Sequence, residues 1–78
     1  MSHMSVHNLD AGVLLSLKAY KVEKGMAPAA AESWAKANLA EGIARVRSVL
    51  RLPDNGRDFE NGTRTAFAAL KTWSQSTP

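Results

Sequence analysis

The sequence predicts an all-α domain of three helices with a long central helix, assembled as a dimeric helical bundle. Apolar residues recur at helical spacing in three stretches, and two breaks bearing glycine and proline separate them. No sustained alternating pattern competes as a strand. The expected spans are about 10–24, 28–52 and 57–75.

The first helix takes its start from a cap at Asn8 or Asp10. It ends before Gly25, placed where a left-handed residue closes a helix. Projected at about 100° per residue, Val13, Leu14, Leu17 and Tyr20 form its main stripe. Leu15, Ala19 and Val22 form a second apolar stripe on nearly the opposite side. An exposed helix in a small monomer rarely needs both.

The second helix opens at Pro28, a first-turn residue whose missing N–H costs nothing there, and stops at Pro53. Leu39, Ile43, Val46 and Leu50 make its core stripe, while Trp34, flanked by Ala30 and Ala37, points more than about 90° away. At about 36 Å this helix outruns its neighbours, each roughly 23–26 Å long. Part of it is therefore expected to be covered by a second copy of the chain. The expected protein interface, to self or partner, is Leu15, Ala19, Val22, Ala30, Trp34 and Ala37. The monomeric alternative has both surfaces meet inside one chain, with the first helix sandwiched between the other two.

Pro53-Asp54-Asn55-Gly56 is a turn, with proline presetting φ and Asn-Gly tolerating positive φ. The third helix follows, with Phe59, Ala66, Phe67, Leu70 and Trp73 on one side. A short polar tail is expected to be disordered. Residues 1–3 read as a cloning remnant, leaving 4–78 as one domain.

Bulk properties narrow the function. A chain of 78 residues is one small domain, and it has no cysteine for disulfides or thiolate metal sites. No apolar run approaches the roughly 20 residues that cross a bilayer, and no leader-like segment is evident, so the expected location is the cytoplasm. No catalytic, metal or cofactor constellation is found. His7 sits in a polar N-terminal stretch without an oriented nucleophile, and the carboxylates lack calcium-loop spacing. Glu32 and Glu60 each precede a base by four residues, the arrangement of helix-surface ion pairs.

The expected function is that of a non-enzymatic protein-interaction module, a stoichiometric regulator or inhibitor of an unidentified protein, acting as a homodimer. Neither cofactor nor small-molecule substrate is expected. The alternative is a DNA- or RNA-binding regulator. Net charge is +3, and Arg47, Arg51, Arg57, Arg64 and Lys71 are placed to form a basic corner patch at the turn. A helix-turn-helix fits poorly, because Lys21 stands where a small residue is required and Trp34 where base-reading side chains belong.

Overall fold

A computed structural model of the chain describes the backbone of residues 4–51 and 59–78, and the side chains of residues 9–51 and 62–78. Among these, the secondary structure is entirely helical: α1 Met4–Glu23, α2 Pro28–Ala37, α3 Leu39–Leu50 and α4 Phe59–Ser76. The expected turn at 53–56, with Arg57, lies outside the described residues.

The described residues thus form four helices where three were expected, because the long central helix breaks at Asn38. There φ is −111° and ψ 13°, off the helical well but close enough for the chain to resume at once. The Asn38 N–H still donates to the Trp34 carbonyl at 3.0 Å, and its side-chain amide donates to the same oxygen at 2.8 Å. Asparagine has poor helix propensity because its side chain competes for backbone groups in this way. The break lets the two halves serve different neighbours. α2 packs on α1, while α3 packs on both α1 and α4.

The start of α1 also differs from expectation. The helix begins at Met4 rather than near residue 10, and neither proposed cap starts it. Leu9 packs against the core, which draws the preceding turn into the helix. The other end follows the sequence. Gly25 has φ 103°, its N–H donates to the Val22 carbonyl at 2.9 Å, and the Met26 N–H donates to Lys21 at 3.0 Å. This is a Schellman closure, and glycine supplies the left-handed residue it requires. Pro28 opens α2 as expected, after an extended Ala27.

The core is made of Val13 and Leu17 from α1, Ala35 from α2, Val46 from α3, and Ala66 and Leu70 from α4. Leu9, Leu14, Tyr20, Leu39, Ile43, Val49, Leu50 and Phe67 close around it, half-buried. Four of the six central residues are short or β-branched, so the helices must approach closely to fill the space. Gly42 is the closest approach. A β-carbon there would stand 3.0 Å from both Val13 Cγ1 and Leu17 Cδ1.

Two alanine substitutions separate packing from helix propensity. Gly42→Ala forces methyl groups that are already buried to move, and is expected to destabilise the fold by about 1–3 kcal/mol. At Gly12 an added β-carbon meets nothing within 4 Å, so Gly12→Ala is expected to stabilise by up to about 1 kcal/mol through helix propensity. Thermal unfolding followed by circular dichroism checks both, with opposite shifts in Tm.

Candidate functional site

The interface residues read from the sequence fall into two settings. Leu15 is 68% exposed and Val22 39% exposed, and Ala19, with Ala11 above it, is also on the surface. Ala11, Leu15, Ala19 and Val22 thus make an uncharged, exposed stripe along α1 that no other described helix covers. Their outward position follows from the burial of Val13 and Leu17, which points the core face of α1 the other way. Ala30 and Ala37 are exposed on α2.

Trp34 sits differently. It is half-buried, and its ring lies against Trp73 of α4 with centroids 5.7 Å apart and planes tilted by 47°. On its other side the Lys21 ammonium stands 4.3 Å from the ring centroid. Arg45 of α3 covers Trp73 in the same way, at 4.7 Å, and is itself held by two donors to Glu41 Oε2 at 2.9 and 3.1 Å. The result is a ladder of cation, indole, indole and cation, with one rung from each of the four helices. Tilted aromatic pairs and cations over ring faces are both attractive through the ring quadrupole.

Lys21 anchors this ladder from inside. It is 5% exposed. Its ammonium donates to the Ser74 carbonyl at 2.8 Å and to the Thr77 carbonyl. These are carbonyls of the last turn of α4 and the residue after it, where a cation also opposes the negative end of the helix dipole. The Trp34 indole N–H donates to the Pro78 carbonyl at 3.0 Å, and the Gln75 amide donates to Tyr20 O and to Glu23. The helix ends at Ser76, beside the expected end near 75, and the carbonyls of the two residues after it accept from Lys21 of α1 and Trp34 of α2. A shallow groove of about 510 Å³ opens beside it, lined by Lys24, Met26 and Pro78 among others.

The basic residues separate as well. Lys71 pairs with Glu23 at 3.5 Å, and Lys18 and Lys36 share Glu32 at 3.2 Å each. The two lysine hydrogen bonds hold the Glu32 carboxyl below its usual range, the Lys36 bond foremost, followed by that from Lys18. Arg47, Arg51 and Arg64 are exposed and form no ion pair with another described residue. Of the five residues proposed for a corner patch, three are exposed and pair with no other described residue, Lys71 pairs with Glu23, and Arg57 lies outside the described residues. No group of three His, Asp or Glu residues among those described is placed to hold a metal. No described helix is long and apolar enough to cross a membrane.

No family model, curated protein or solved structure matches the chain. The site is therefore read from its own geometry.

Lys21 and Glu32 each carry a test. Lys21→Met keeps the side-chain stem but leaves two carbonyls at the end of α4 without their buried donor. It is expected to cost about 1–3 kcal/mol and to change tryptophan emission, since both indoles of the chain stand in the ladder. Lys24→Met, at an exposed site, is the control and is expected to change neither. For Glu32 the folded pKa is depressed. Its stabilisation is present at neutral pH and is lost as pH falls through that lowered value. Glu32→Gln is expected to reduce the difference in Tm between neutral and acid solution.

Proposed function

We propose that the chain is a non-enzymatic helical protein-interaction module, a small regulator or inhibitor that binds its protein partner stoichiometrically and acts as a homodimer. The observation that carries this reading is Leu15, a large aliphatic side chain 68% exposed in the middle of an uncharged helical stripe. A single exposed leucine on a surface is ordinary. A leucine continuous with Ala11, Ala19 and Val22 over three turns is a face another helix fits. The exposed alanines of α2, Ala30 and Ala37, offer a second surface of low relief. A cytoplasmic setting accords with this reading, and neither cofactor nor small-molecule substrate is required by it.

The second reading is a DNA- or RNA-binding regulator. Arg47, Arg51 and Arg64 favour it, because exposed cations that pair with no other described residue are available to phosphates. With Lys71 tied to Glu23, the patch is smaller than five charges. Asp54, Asp58 and Glu60 are close in sequence and oppose its field.

Static light scattering over a dilution series tests the first reading. The expected mass falls from dimer to monomer on dilution, and a monomer even at about 1 mM, where binding of only about 4 kcal/mol would show, rules the homodimer out. Mobility-shift measurements with duplex and single-stranded nucleic acid test the second. Phosphate binding is strongest at low salt, so no shift there removes that reading.

A further inference from the structure

We infer that the outer face of α1 pairs with the same face of a second copy, the two helices running antiparallel about a two-fold axis beside Leu15. This rests on the homodimer reading above and specifies its surface, which the sequence had spread over α1 and α2.

The first argument is self-complementarity. Gly12, Leu15, Ser16 and Ala19 occupy positions i, i+3, i+4 and i+7, the diamond that receives a side chain from a facing helix. Three of the four are small. At Gly12 the space is open, since an added β-carbon would meet nothing within 4 Å. The same face projects Leu15, 68% exposed. It therefore carries a projecting side chain and small residues beside it at one position along the helix. A two-fold axis uses both at once, because each copy inserts its leucine beside the other's.

Charge supplies the second argument, and it favours a copy over an acidic partner. The ionised groups that flank the stripe are paired within the chain, Lys18 with the Glu32 it shares with Lys36, at 3.2 Å, and Glu23 with Lys71 at 3.5 Å. The exposed cations Arg47, Arg51 and Arg64, which pair with no other described residue, stand on α3, at its end and on α4, so an acidic partner would be drawn to those helices. A neutral face suits a neutral partner, and two copies meet there without the repulsion their net charge would otherwise bring.

Orientation follows from the same groups. Parallel helices would set Lys18 beside Lys18 and Glu23 beside Glu23. Antiparallel helices centred on Leu15 bring Ala11 level with Ala19 of the other copy, both of them small. They also oppose the helix dipoles. Trp34 has no part in this interface, being stacked between Trp73 and Lys21. One helix pair is a small contact, at or below about 1,200 Å² in total, which places the dimer among reversible ones.

The experiment combines two variants with cross-linking. Leu15→Glu replaces the projecting apolar side chain and Gly12→Leu fills the space beside it. Both positions face open space, so both variants are expected to keep the wild-type circular dichroism spectrum. Each is expected to weaken dimerisation by roughly 100-fold or more, the first because a carboxylate would be buried against apolar surface. The chain has no cysteine, so Leu15→Cys is expected to give disulfide-linked dimers on mild oxidation. A mixture of Ala11→Cys and Ala19→Cys chains is expected to cross-link to each other in preference to themselves. Self-linking of each would overturn the antiparallel arrangement. A wild-type dimer indifferent to both Leu15→Glu and Gly12→Leu would overturn the α1 interface while leaving a homodimer standing. A wild-type monomer throughout would overturn the homodimer reading itself.

Discussion

The fold depends on one row of side chains. Lys21, Trp34, Trp73 and Arg45 stack in that order, and each comes from a different helix. The hydrophobic core alone is small and rich in alanine and valine, so it fixes distance between helices better than it fixes their rotation. The ladder supplies what such a core lacks. An ammonium over an indole and an indole tilted on another have preferred geometries, so the row holds the four helices in one mutual orientation. It also joins distant parts of the chain, since the Lys21 donor and the Ser74 acceptor are 53 residues apart.

The ladder accounts for features that would otherwise look unrelated. Burying a lysine is costly unless its donors are met. Here the acceptors are carbonyls at the end of α4, which would themselves lack partners. Each need answers the other, and the terminal turn of α4 is held in place as a result. Trp34 and Arg45 reach the ladder from α2 and α3, with the break at Asn38 between them. A continuous helix would have to follow one axis through both contacts. The break allows α2 to follow α1 and α3 to follow α4.

Legibility in the sequence divided along the same line. Local signals were readable: Gly25 and Pro28 mark the boundary between α1 and α2 because each has a backbone preference that acts alone. The core stripe of Val13 and Leu17 was readable from spacing, as was that of Ala66 and Leu70. The break at Asn38 was not, because one asparagine in an alanine-rich stretch is compatible with a continuous helix until the packing of both halves is known. Lys21 was missed for a related reason. Its acceptors are backbone carbonyls, which every residue has, and no side-chain pattern announces them. Trp34 was expected at an interface, whereas its described contacts lie within the chain and depend on Trp73, 39 positions later. The exposed stripe of Leu15, Ala19 and Val22 was visible because an excess of apolar residues on a second face is a property of one helix alone.

The two surfaces that remain differ in kind, and the difference follows from how charge is distributed. Among the described residues, Glu23, Glu32 and Glu41 all lie in ion pairs, so each of these three glutamates holds at least one base. What is left over is Arg47, Arg51 and Arg64, with Lys24 at the exposed end of α1. The net charge is therefore a property of particular places rather than of the whole surface. Long-range attraction acts through those arginines and weakens with salt. The α1 stripe has no such reach and acts only on contact, through the area it removes from water. A partner steered by charge and a partner held by apolar fit would thus meet different helices. The chain has room for both without either displacing the other.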